Sequence, residues 1–145
     1  MAELWPDEGL DYLLAIFPKN GSNLATSYIG LFTSQTASTV PATTAVLATP
    51  TGVTEATGTG YARQSIAAAA WGATAAGTGG RKTTAGQVTF PTVGAGAWGT
   101  INGFFIATAA TAGTAIYYAN FDDVTAIVSA VNDIIRVTPT TQANG

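Results

Sequence analysis

Cysteine and histidine are both absent from this sequence of 145 residues. Without cysteine no disulfide can stabilise the fold, and thiols give no reading of the redox compartment. Without either residue the usual triads and dyads of acid–base and nucleophilic catalysis are excluded. Charge is also scarce: five basic and eight acidic residues make up 9% of the chain, for a net charge of −3. Four of the acids (Glu3, Asp7, Glu8 and Asp11) fall in the first eleven residues, and the basic residues are scattered. Such a surface does not track phosphates, so no nucleic-acid partner is expected. No apolar run is long enough to cross a bilayer, so no membrane partner is expected either. The start is acidic, and the apolar stretch from Leu10 to Phe17 is short and lacks a basic flank. The chain therefore reads as soluble and without a signal peptide.

What is present in abundance is small. Alanine (28), threonine (25) and glycine (17) together supply 70 of the 145 residues. Buried apolar area contributes roughly 25 cal/mol per Å², so side chains this light build a modest core. The fourteen aromatic residues must carry much of the packing. A single domain of this length and lightness is expected to gain further burial by self-association or by docking on something larger.

The chain changes character along its length. All seven leucines fall at or before Leu47, after which the aliphatic residues are seven Ile and seven Val. Leucine favours helix and β-branched residues favour strand. Pro6, Asp7 and Glu8 suit the first turn of a helix. Leu10, Leu13, Leu14 and Phe17 then mark one helical face, and Pro18 with Asn20-Gly21 stops it. This short amphipathic helix either caps its own domain's core or serves as an arm that docks on a neighbour. The division expected is a helix and arm over residues 1–26 and a β domain over residues 27–145.

Ser27 to Ser34 reads as the first strand, followed by a long extended connection from Gln35 to Thr59. Long loops in compact domains are usually functional or mobile. The stretch from Gly60 to Trp71 poses a question, because Ala67 to Ala70 are good helix formers while Tyr61 to Ile66 alternate. No apolar stripe continues at helical spacing, so the stretch is expected to be extended, although four alanines also suit one helical turn. Tyr61, Arg63 and Ser65 would point to one face and Ala62, Gln64 and Ile66 to the other. Residues 72–86 read as turn chemistry. Further strands are expected at Gln87–Phe90, Gly99–Thr108, Thr114–Phe121, Val124–Val128 and Asp133–Thr140. Within the second of these, Ile101, Gly103 and Phe105 would share a face opposite Phe104 and Ile106. A turn is expected near Asn132-Asp133, and Pro139 should end the last strand at an edge. Short strands with frequent turns argue for a mainly β fold, an antiparallel β-sandwich of jelly-roll-like type with a short N-terminal helix or arm.

Candidate chemistry is thin. Asp122 and Asp123 are adjacent, so on a strand they would face opposite ways, and they read as turn residues. The stretch from Gly77 to Gly86 glances at a phosphate loop, but Arg81 stands where glycine should precede the lysine, and Ala76 where the first glycine should be. It reads as a basic hairpin tip, with Arg81 and Lys82 able to reach an acidic patch on a partner. Asn20-Gly21-Ser22 matches a glycosylation acceptor but is read simply as a turn. Asp122, Asp123 and Asp133 lack the spacing of a known calcium loop. No metal, cofactor or catalytic residue is assigned. Tyr61, Trp71, Phe90, Trp98, Phe105 and Tyr117 are read as core residues. Trp71, Trp98, Tyr117 and Tyr118 are also the aromatics a carbohydrate platform would use, with core filling the favoured reading.

Several motifs in order resemble a family of tailed-bacteriophage structural proteins. They are "LFT" (Leu31 to Thr33), "GYAR" (Gly60 to Arg63), a tryptophan before a Gly-rich turn, "VTFPTVGAGAWGTINGFFI" (Val88 to Ile106), an "AGT" turn, a strand ending near Phe121, and Asn132-Asp133 leading to Val137-Thr138-Pro139. The N-terminal "LDYLLAIFP" is similar to the helix that opens many members. The family often has Asn-Gly-Asp before its last strand, where this chain has Val131-Asn132-Asp133. The resemblance implies a β-sandwich virion component with no enzyme activity, labelled in different members as capsid decoration, tail or fibre protein.

The expectation that follows is a capsid cement protein, a homotrimer on the capsid exterior that buries surface between major capsid protein subunits. The helix from Pro6 to Phe17, with Leu10, Leu13, Leu14 and Phe17, and the Gln35–Thr59 connection are the expected contacts. The alternative is a tail- or head-fibre component or a carbohydrate- or receptor-binding module.

Overall fold

The computed structural model describes residues 3–4, 24–33, 54–77, 80–121 and 127–144. The expected helix with Leu10, Leu13, Leu14 and Phe17, the Asn20-Gly21-Ser22 turn, most of the Gln35–Thr59 connection, and Asp122-Asp123 lie outside these residues.

The described chain is mainly β, in several antiparallel sheets. Its strands are β1 (Glu3–Leu4), β2 (Thr26–Phe32), β3 (Gln64–Ala67), β4 (Ala75–Gly77), β5 (Gly80–Thr84), β6 (Val88–Thr89), β7 (Thr100–Ile101), β8 (Gly103–Ala107), β9 (Ala115–Asn120), β10 (Ile127–Val128), β11 (Arg136–Val137) and β12 (Thr140–Asn144). Five of them form the main sheet in the order β1-β9-β8-β2-β3. The others form three smaller sheets, β10-β7, β11-β6 and β12-β5-β4.

The central strands are buried on both faces, and alternation sorts their side chains. Ile29 and Leu31 of β2, Phe104 and Ile106 of β8, and Tyr117 and Ala119 of β9 enter one apolar cluster. Ile66, Phe90, Val93, Trp98, Ile101, Ile135 and Val137 join them there, bringing in the smaller sheets and the turns between them. Phe32, Phe105, Ala107, Ala115 and Tyr118 form a second cluster on the opposite face, each at 0% exposure. A bulge between Ile106 and Ala107 skips Ile116 in the pairing with β9, so Ile116 and Tyr117 both pack against the first cluster.

Two glycines make room for aromatic rings across the sheet. Gly30 pairs with Phe105 and Gly103 with Phe32. A Cβ at Gly30 would collide with the Phe105 ring, and one at Gly103 with Phe32 and the Ala119 carbonyl. Ring over glycine fills the space that the missing side chain leaves.

Four details differ from the sequence expectation. The Gly60–Trp71 stretch is only partly extended: β3 is followed by a 3₁₀ turn at Ala68–Ala70. Strand and helical turn thus occur in succession, with the Ala68 N–H donating to the Ala25 carbonyl as the chain leaves the sheet. Residues 72–86 contain the β4–β5 hairpin, because pairing with β12 outweighs weak local propensity. Ile101 does not share a face with Phe105. The ladder breaks at Asn102, whose N–H donates to the Phe32 carbonyl and whose amide side chain donates to the Thr33 carbonyl. Pro139 does not end the last strand. It sits between β11 and β12, where the sheet partner changes and no ladder N–H is required.

Replacing Gly103 with Ala is expected to destabilise the chain by about 1–3 kcal/mol, the range for overpacking. The measurement is the urea midpoint at unchanged slope. Gly86→Ala, where a Cβ meets nothing within 4 Å, is the control and should leave the midpoint in place.

Candidate functional site

Between Lys19 and Arg81 the sequence carries only two charged residues, Glu55 and Arg63. The fold brings them together. The chain before β3 returns along the outer edge of β2, where the Ala56 N–H donates to the Leu31 carbonyl at 2.8 Å and the Thr33 N–H to the Thr54 carbonyl at 2.9 Å. Glu55 faces Phe32 in this short bridge. Its carboxylate accepts from Arg63 Nε at 2.8 Å and from an Arg63 Nη at 2.6 Å, a bidentate pair.

The other Arg63 Nη donates to the carbonyls of Ala109 at 2.9 Å and Ala112 at 2.6 Å. Four of the guanidinium's five N–H groups are thereby engaged. Its plane lies over Phe105, 5.2 Å from the ring centroid. The Arg63 side chain is 5% exposed and that of Glu55 26%. Tyr61 completes the cluster. Its hydroxyl accepts from the Leu31 N–H at 2.9 Å and donates to Glu55 Oε1 at 3.0 Å. The Tyr61 ring packs edge-on against Trp98 and parallel to Phe90. Burial, reinforced by the Glu55 carboxylate, pushes the Tyr61 hydroxyl well above the ordinary tyrosine range, so it remains a neutral donor. A hollow of about 440 Å³ opens beside the cluster, but the guanidinium is turned inward onto carbonyls and carboxylate. The arrangement is a structural clamp, with little left to offer an incoming anion.

A second hollow, of about 240 Å³, lies under Trp71. It is walled by Leu24, Ile106, Ile116 and Tyr117, with Ala68 exposed at its rim and no charged residue in its lining. Three of its polar side chains are engaged within the fold. Trp71 Nε1 donates to Ser27 Oγ at 3.2 Å, and Ser27 Oγ to the Ile66 carbonyl at 3.3 Å. The Thr83 hydroxyl donates to the Gly72 carbonyl at 2.7 Å.

Of the expected core residues, Phe90, Trp98, Phe105 and Tyr117 are buried, while Tyr61 and Trp71 are half-buried against the core. Tyr118 is also fully buried, so Trp71 alone of the four aromatics considered for a carbohydrate platform reaches solvent. Arg81 and Lys82 lie within β5, adjacent and therefore on opposite faces, and do not form one basic tip. Arg81 donates back to the Thr74 carbonyl and hydroxyl across its own hairpin. Glu55 was not singled out from the sequence. Its isolation in an uncharged stretch, eight residues before the equally isolated Arg63, was the available signal. Among the described residues no group of three or more acidic, His or Cys side chains could hold a metal ion.

Among the described residues, then, the fold is mainly β, the Glu55–Arg63 clamp faces inward, and most of the large aromatic side chains are buried in the core. Residues 19–142 match the family model described as Podophage GP4 fiber I protein gp80. The chain belongs to that family, and is a tailed-phage virion structural protein of fibre type. No curated protein matches it.

Glu55→Gln should lower stability by about 3 kcal/mol, the low end for breaking a buried pair, because it leaves Arg63 without its counter-charge while Glu55 itself keeps some solvent. Chemical unfolding measures this. Tyr61 gives a pH signature. Its raised value means that the folded state holds the proton longer, so its contribution is complete below the unfolded value near 10 and declines as pH rises further. Above pH 10 the wild type should lose up to about 1.4 kcal/mol per pH unit more than Tyr61→Phe does, as read by urea unfolding of both chains at stepped pH.

Proposed function

We propose that this chain is a building block of a phage fibre, acting through protein–protein contact with copies of itself and with neighbouring virion proteins. The observation that carries the reading is the family match over residues 19–142. The structure supports it in two ways. The Glu55–Arg63 clamp faces inward, and the large aromatic side chains among the described residues are mostly buried. Apart from the exposed aliphatic side chains of Val128, Val131 and Ile134, what the described surface presents is small and weakly charged, which suits contact with other protein surfaces.

The capsid cement role, with a homotrimer seated between major capsid protein subunits, would use the same kind of surface. It differs in location and in copy number. Labelling intact particles with an antibody to this chain, together with its stoichiometry from stained gels, separates the two. Label confined to appendages, with few copies per particle, is expected. Label spread over the shell, at a copy number comparable to the major capsid protein, would overturn the fibre assignment in favour of cement.

A further inference from the structure

The Glu55–Arg63 clamp is nearly saturated, and what it leaves over lies in the wall of the hollow of about 440 Å³ beside it. Glu55 Oε1 accepts from both Arg63 Nε and the Tyr61 hydroxyl, but Oε2 accepts only from one Arg63 Nη. That Nη keeps one N–H with no partner among the described residues, because the two carbonyls of Ala109 and Ala112 are taken by the other Nη. One spare donor and one spare acceptor therefore stand side by side in the wall, on nitrogen and oxygen atoms 2.6 Å apart. Two hydroxyls flank them. Thr57 and Thr111 line the same hollow from exposed positions, and neither side chain has a hydrogen-bond partner among the described residues.

This inventory selects among ligand chemistries. An anion would find a single N–H and would sit against the Glu55 carboxylate, and a cation would sit against the Arg63 guanidinium. A purely apolar guest would strip water from Oε2 and the threonine hydroxyls and return nothing for it. A neutral molecule with several hydroxyls meets every demand. Of two neighbouring hydroxyls on one ring, one accepts the spare N–H and the other donates to Oε2, while Thr57 and Thr111 can each donate or accept. The methyl groups of Ala62, Ala110 and Ala112, which also line the hollow, offer contact to the C–H face of such a ring. The volume falls in the ordinary range for small-molecule sites, about 300–1,000 Å³. The walls are held in place before any ligand arrives. The connection between β8 and β9 is closed by the Thr108 N–H on the Thr114 carbonyl and the Thr114 N–H on the Thr108 hydroxyl, each at 3.0 Å, and is tied to Arg63 through Ala109 and Ala112. Little ordering cost is therefore left for binding.

We infer that the hollow beside the Glu55–Arg63 clamp binds a neutral saccharide ring, with Arg63 Nη and Glu55 Oε2 taking two neighbouring hydroxyls and Thr57 and Thr111 taking others. The clamp thus has a second use: the ion pair that fixes the fold also presents one donor and one acceptor at a fixed spacing. No aromatic platform is involved, since the Tyr61 ring at the edge of the hollow is packed against Phe90 and Trp98. A single ring held by about four hydrogen bonds in an open hollow binds weakly, with a dissociation constant of about 1–10 mM. The inference goes beyond the fibre reading and does not rest on it. It is tested on the purified chain, whereas the fibre reading is tested on the particle, so either can fail alone.

The test is titration of the isotope-labelled full chain with D-glucose, D-galactose and D-mannose, each to about 50 mM, followed by amide NMR shifts. At least one sugar should give saturable shifts confined to residues 55–63 and 109–112. The double variant Thr57→Val with Thr111→Val removes both flanking hydroxyls from exposed positions and leaves the clamp intact. It should bind that sugar about 10-fold more weakly, the size expected for two lost hydrogen bonds. Ala110→Phe, which fills the hollow from its exposed rim, is the second variant should the first misfold, and it should abolish the shifts. The uronate counterpart of the same sugar should bind equally or less well, because its carboxylate gains nothing beside Glu55. No saturable shift with any of the three sugars, shifts centred elsewhere, a folded variant that binds as the wild type does, or tighter binding of the uronate overturns the proposal.

Discussion

The bidentate pair between Glu55 and Arg63 ties together pieces of chain that the ladder hydrogen bonds alone leave separate. Glu55 belongs to the segment that covers the far edge of β2, Arg63 to the approach to β3, and the Ala109 and Ala112 carbonyls to the connection between β8 and β9. The guanidinium lies over Phe105, and the Phe105 ring in turn lies over Gly30. Charge, ring and glycine are therefore stacked through the middle of the sheet. Taking two charges out of water is costly, and well-packed apolar groups often match such a pair in stability. What the pair adds is definition: the guanidinium fork fits one arrangement of carboxylate and carbonyls.

That definition matters in a chain built from light side chains and without disulfides. The core reaches closure by letting a few large rings do what many medium-sized residues do elsewhere. Phe105 and Phe32 occupy space released by Gly30 and Gly103, while Tyr61, Phe90 and Trp98 form a separate aromatic group at the edge of the first cluster. Tyr61 links the two systems. Its ring belongs to the aromatic group, and its hydroxyl caps the Leu31 N–H at the point where β3 has already left the edge of β2.

Much of the strand content was legible in the sequence. The β-branched and aromatic runs at 27–34, 99–108 and 114–121 became β2, β7 with β8, and β9 within a few residues, since alternation in a sheet is a local property that the sequence displays directly. The Asn132-Asp133 turn was equally visible, through residues that tolerate positive φ. Less visible were features decided by partners distant in sequence. The β4–β5 hairpin consists of alanine, glycine, threonine and basic residues, and becomes strand because β12 pairs with it. The phase change at Asn102 depends on carbonyls of residues 32 and 33, which no local pattern announces. The missing N–H of Pro139 is a local fact that points to a terminator, whereas the change of sheet partner that makes it harmless is not local. The clamp itself is half legible: "GYAR" stands out as a motif, but its acidic counterpart Glu55 lies in a stretch that is otherwise uncharged.

Both faces of the central strands β2, β8 and β9 are closed to solvent, which limits where another protein can be added. Layer-on-layer growth would require one of those surfaces to be peeled open again, at the cost of the clusters that hold the monomer together. What stays available without reopening the interior is the perimeter.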